Sequence, residues 1–176
     1  MGKVLTAAIA VIVAALAVIT PGCNTAGCTD NHSSIALAGF YSMSTLRSIM
    51  VDSLTIGGVG APGDSLLVDS ARVSQLVLPL RSMEKSTSFF IHYNHKELND
   101  PRMNDTLTFD YDSYPYFASE ECGAMYQYRI TRVAYTRHLV DSVGIVDSLI
   151  SNLDLEQIHI YMRTADPESN QRSIAR

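Results

Sequence analysis

Beyond residue 33 the apolar positions of this chain recur at every second residue rather than every third or fourth. Phe89, Ile91 and Tyr93 share one face of such an alternation. Leu107, Phe109 and Tyr111 share another, and their intervening partners Thr106, Thr108, Asp110 and Asp112 are all polar. Successive side chains of an extended strand point to opposite sides, so a period of two predicts half-buried strands. The same pattern at residues 35–41, 54–56, 76–80, 124–130, 139–145 and 158–162 brings the expectation to roughly eight short strands. Within 124–130 it places Tyr126 and Tyr128 on one face with Ala124 and Ile130, a candidate core stripe.

Turn chemistry separates these runs: GGVGAPGD at 57–64, followed by another strand-like segment, then Asn99-Asp100-Pro101, Asn104-Asp105, Tyr114-Pro115 and Ser151-Asn152. Asp-Ser pairs begin at Asp52, Asp64, Asp69, Asp112, Asp141 and Asp147 with irregular spacing, which suits turns and strand starts rather than a repeat. Long helical windows are missing, and 147–155 is expected to supply at most one short helical turn. Many strands with regular breaks predict an all-β domain: an antiparallel β-sandwich, Ig-like or a partly open barrel, of about 7–8 strands.

The first 22 residues break the pattern. Lys3 is followed by uncharged, mostly apolar residues from Val4 to Thr20 and then by Pro21-Gly22-Cys23. A short basic region, an apolar stretch and a small residue before the cut describe a cleaved signal peptide. The apolar run spans roughly 25 Å as a helix, short of a hydrocarbon core of about 30 Å, and no basic cluster follows to hold a permanent span. Thr20-Pro21-Gly22-Cys23 resembles a bacterial lipobox, making Cys23 the expected lipid-bearing residue; Thr25-Ala26-Gly27-Cys28 fits loosely but lies further from the apolar run. Soluble secretion with Cys23 free is the alternative. The organisation expected is signal peptide 1–22, anchor and short linker 23–32, β-sandwich 33–162 and a polar, fraying tail 163–176.

An exported chain meets oxidising conditions, which makes Cys28 and Cys122 the expected disulfide. Such a bridge closes roughly 95 residues, worth about 4–5 kcal/mol in the chain-entropy account. Zinc lacks a CxxC or a paired histidine here, and a catalytic thiol at Cys122 would have Glu120 and Glu121 beside it, which raise its pKa rather than lower it. The formal charge of −5, with no basic run, excludes a nucleic-acid partner held through phosphates.

The ordered motifs VDSLTIGGVG (51–60), DSLLVDSARVSQLVLPL (64–80), DTLTFDY (105–111), YPYFASEECG (114–123) and IHIYM (158–162), behind a leader ending in cysteine, resemble an uncharacterised lipoprotein-type β-sandwich family of gut Bacteroidales, a domain of unknown function. The resemblance implies an envelope lipoprotein with a β fold and carries no activity. In similar lipoproteins a non-acidic residue after the lipid-bearing cysteine, here Asn24, goes with outer-membrane delivery. The lack of an acidic cluster in 24–27 favours a periplasm-facing position over the cell surface.

No catalytic set assembles along the chain. The glycines at 57–63 lack both the GK[ST] and the following helix of a phosphate loop. There is no GxSxG elbow. His92 and His95, three apart, fall on opposite strand faces and read as surface histidines; His159 points outward between Ile158 and Ile160. Asp110 and Asp112 share a face and are weak candidates for calcium or, with a histidine, for a metal-dependent hydrolase, while a solvated acidic face explains them equally. Tyr114 and Tyr116, flanking Pro115 in an expected loop, and Phe117 beside them are candidate contacts for a glycan or protein partner, with packing over the sheet end as the alternative. The reading is a lipid-anchored, non-enzymatic binding or scaffolding module without cofactor. A metal-dependent hydrolase or a structural subunit of a surface assembly, adding strands edge to edge, are the alternatives.

Overall fold

Alternation becomes strand almost wherever it was read. The computed structural model describes residues 34–119 and 123–164, and among these residues ten strands form. They are β1 (Ala36–Ser42), β2 (Val51–Gly58), β3 (Leu66–Val73), β4 (Gln75–Leu78), β5 (Ser86–Tyr93), β6 (Asp105–Ser119), β7 (Gly123–Tyr135), β8 (Val140–Ile145), β9 (Leu149–Ile150) and β10 (Glu156–Met162). One sheet has the order β4-β1-β10-β8 and the other β3-β2-β5-β6-β7-β9. The chain is the all-β, two-sheet fold that the pattern predicts, antiparallel throughout except for one pair. β1 and β10 run parallel, with Ala38 opposite Ile158 and Phe40 opposite Ile160. A parallel pair needs a long connection, and here everything between the two strands supplies it.

The core lies between the inward faces of the two sheets. Ala38 and Phe40 of β1 and Ile158 and Ile160 of β10 meet Leu54, Ile56, Phe89, Ile91, Leu107, Phe109 and Tyr111 of the larger sheet, all essentially inaccessible. Fully burying one large apolar side chain is worth roughly 1.5–3 kcal/mol.

Three local expectations are corrected. Residues 147–155 hold no helix: the Asp147 carboxylate accepts from the Leu149 N–H (2.8 Å) and turns the chain into β9. Tyr114-Pro115 is not a turn but lies inside β6. Arg163 and Thr164, placed in the fraying tail, are tied down: the Arg163 N–H donates to Leu139 O (2.8 Å), its Nε to Asp141 (3.2 Å), and Thr164 Oγ1 lies 2.7 Å from Ser42 Oγ. The remainder of that tail, the leader, the linker and all three cysteines lie outside the described residues.

Two of the Asp-Ser pairs mark bulges rather than turns. Ser53 (φ 55°) and Ser70 (φ 43°) are left-handed, and the β2–β3 register shifts beside them. Thr55 Oγ1 accepts from the Ser70 N–H (3.0 Å) and from Asn94 Nδ2 (2.6 Å), which holds the bulge. In GGVGAPGD the first two glycines end β2 and the rest leads toward β3, with Gly60 and Gly63 at positive φ around a short 3-10 turn, and no longer helix follows it.

Asp105, at the start of β6, is 1% exposed. Its carboxylate accepts from the N–H groups of His138 (2.9 Å), Leu139 (2.8 Å) and Val140 (2.8 Å) and from the hydroxyls of Thr136 (2.7 Å) and Tyr93 (2.9 Å). Burial alone would raise its pKa; the hydrogen bonds from His138, Thr136, Val140 and Leu139 together outweigh that and hold it below the ordinary value. This cage fastens the β7–β8 connection to the start of β6.

Candidate functional site

β6 has 15 residues and β7 has 13, longer than their neighbours. β5 stops pairing at Ser86 opposite Asp110, and β9 covers only Tyr128 and Arg129 of β7. Beyond those points, among the described residues, β6 and β7 continue alone as a two-stranded arm. Residues directly opposite in an antiparallel pair share a face. Tyr114 opposite Gln127 and Tyr116 opposite Met125 form one face; Pro115 opposite Tyr126 and Phe117 opposite Ala124 form the other.

Both faces carry exposed aromatic rings. Tyr114 is 46% exposed, Tyr116 42%, Phe117 64% and Tyr126 39%. The three candidate contacts thus lie on a strand rather than a loop, Tyr114 and Tyr116 on one face of the arm and Phe117 on the other. Tyr126 departs from the core stripe expected for it: Tyr128 and Ile130 are buried, but by Tyr126 the opposing sheet has ended. Met125 on the other face is buried instead.

The arm is anchored at its base. The Tyr111 hydroxyl accepts from the Arg81 N–H (2.9 Å), donates to Arg81 O (2.9 Å) and lies 2.6 Å from Thr87 Oγ1. The Tyr128 hydroxyl donates to Leu80 O (3.3 Å), and the two tyrosine rings meet edge to face at 5.4 Å. Burial, then the neighbouring Tyr111 and Tyr126, raises the Tyr128 pKa. Beside this base a hollow of about 430 Å3 joins Asp112, Ser113 and Tyr114 to Ser82, Met83, Glu84 and Lys85. It links the aromatic arm to the acidic strand face.

Asp110 and Asp112 do share that outward face, and an arginine stands opposite each. Asp110 accepts from Ser86 Oγ (2.8 Å) and pairs with Arg132 (3.8 Å), while Asp112 sits across from Arg129. Among the described residues no three His, Cys, Asp or Glu side chains converge on one point. His92 and His95 are exposed, and the His92 ring packs on Phe90 with centroids 4.5 Å apart.

One polar cluster went unread in the sequence. On the outer face of the four-stranded sheet the Glu156 carboxylate accepts from the Tyr41 hydroxyl (2.5 Å) and Gln75 Nε2 (2.6 Å) and lies 3.0 Å from His159 Nε2. It occupies the space above Gly39, where any Cβ would overlap it. The hydrogen bond to Glu156, followed by burial, pushes the Tyr41 pKa up to about 12. His159 does face outward, as its alternation predicts, and stacks on Tyr41 at 4.2 Å. The members satisfy one another, which makes the cluster a clasp between β4, β1 and β10. The bare Gly39 and the outward Glu156 and His159 were its only traces in the sequence.

A family profile matches residues 53–162, most of the chain. The chain belongs to DUF6452, a family of unknown function. No curated protein and no solved structure matches it. In this DUF6452 chain the matched stretch includes the arm, its hollow and the Asp105 cage, while β1 lies outside it.

Proposed function

We propose that this DUF6452 chain is a lipid-anchored cell-envelope module that binds or scaffolds a partner without catalysing a reaction, and that it engages the partner through the β6–β7 arm. One observation carries the reading: four aromatic rings, Tyr114, Tyr116, Phe117 and Tyr126, stand exposed on one rigidly based projection. Aromatic rings bring large contact area at low entropic cost, and exposed apolar clusters of this kind mark interaction sites. The lipobox-like Cys23 supports the anchor, the resemblance to Bacteroidales lipoproteins supports the outer membrane, and residues 24–27 support the periplasmic side.

The binding reading is tested in cells by a photo-crosslinking residue at Tyr116, with one at Met50, exposed beside Tyr93, Leu98 and Leu139 at the opposite end of β6, as control. Discrete adducts from position 116 alone are expected; equal or absent crosslinking at both ends the reading. The anchor is tested by fatty-acid labelling, which Cys23→Ala should abolish.

A further inference from the structure

We infer that the hollow at the base of the arm binds a neutral glycan chain, with Tyr114 as the stacking platform and Glu84, Lys85 and Asp112 as the hydrogen-bonding rim. The inference rests on the reading of the arm as a binding surface and names what that surface binds.

Most carboxylates elsewhere in the sheets are taken up by the fold. Asp52 pairs with Arg72, Asp110 with Arg132 and Ser86, Asp141 with Arg137 and Arg163, and Glu156 with Tyr41 and Gln75. Glu84 and Asp112 are not. They line one hollow of about 430 Å3 together with Lys85, all three are exposed, and their side chains make no hydrogen bond or ion pair with any described residue. Ser113, which also lines the hollow, has a buried hydroxyl with no partner among the described residues. Folded proteins pair nearly all their buried polar groups, so an idle one beside three idle charges sets this place apart.

The chemistry of the rim selects the ligand. Carboxylates only accept, an ammonium only donates, and a sugar hydroxyl does both, so one polyhydroxylated ring can answer all of them. The two acids repel an anionic ligand, and Lys85 repels a cationic one. The remaining wall is the Tyr114 ring, 46% exposed, whose flat apolar face matches the C–H side of a sugar ring. Asp112, Tyr114 and Tyr116 are alternate residues of β6 and share a face. Tyr116 therefore follows about 7 Å beyond Tyr114 and prolongs the aromatic surface past the hollow, which suits a chain of sugars rather than one. The volume falls within the roughly 300–1,000 Å3 usual for small-ligand sites.

Isothermal titration of the mature chain with maltohexaose, cellohexaose and N-acetylchitohexaose tests the inference. The first two stand for plain glucose polymers and the third for amino-sugar polymers. Saturable binding of at least one is expected, weakened at least about tenfold by Tyr114→Ala and by Asp112→Asn. Tyr126→Ser, on the other face of the arm, should bind as the wild type does, and unchanged thermal midpoints report an intact fold. The inference is overturned if none of the three binds, or if both hollow variants bind like the wild type. Tighter binding of the charged chains hexagalacturonate or deacetylated chitohexaose also overturns it. Absent sugar binding alongside discrete Tyr116 adducts in cells removes the glycan and leaves the arm a protein-binding surface; absence of both removes the binding reading as well.

Discussion

Asp105 has five donors around its carboxylate in place of water, and its place in the fold follows from that exchange. Asp105→Asn keeps the shape but turns an amide donor toward N–H groups. We expect it to lower stability by about 3 kcal/mol or more, read as a lower urea midpoint at unchanged slope. The pH dependence has a definite sign. The folded-state pKa lies below the ordinary 3.8, so the stabilisation is complete above that value and is lost as pH falls through the folded value. The acid limb of the stability profile should therefore be shallower in the variant. Read along the chain, Asp105 is an ordinary turn acid before a strand. Its partners Thr136, His138, Leu139 and Val140 lie 31 to 35 residues downstream, beyond the reach of any local pattern.

At the level of the element, a strand's alternation says which residues share a face but not how far the opposing sheet extends. Leu107, Phe109 and Tyr111 read as core and are core, because the four-stranded sheet lies over them. Tyr126 shares its face with Tyr128 and is nevertheless exposed, since β6 and β7 outrun that cover. Tyr114 and Tyr116 were legible as candidate contacts, yet the proline between them pointed to a loop; at an unpaired strand edge a missing N–H costs nothing. Because these rings touch little, Tyr116→Ser together with Phe117→Ser should move the thermal midpoint by no more than about 2–3 °C. Tyr128→Ser, which strips the arm of its anchor to Leu80, should lower it by clearly more. Similar losses in both proteins, followed by circular dichroism, would mean that the arm's rings belong to the core.

For the whole molecule, the decisive element is one that the family match leaves out. β1 stands between β4 and β10, and its Ala38 and Phe40 have no accessible surface. Without it β4 has no partner strand, and β10 keeps only β8. A chain beginning at Ser44 should therefore show no cooperative unfolding transition, whereas the chain from Ser34 should unfold in a single one. A sigmoidal transition of equal midpoint from the shorter chain would show the six-stranded sheet to be self-sufficient.

The sequence by itself determined the period of two, and with it the all-β class, most strand positions and the inward face of each. These depend only on neighbouring residues and on where successive side chains point. Tertiary structure alone decided that β1 runs parallel to β10, that β6 and β7 project as an arm, and that Asp105 and Glu156 find their partners. Pairing joins residues far apart along the chain, and main-chain hydrogen bonds look alike in every strand. The choice among pairings therefore falls to packing between sheets and to buried polar groups, which act only once the chain has closed on itself.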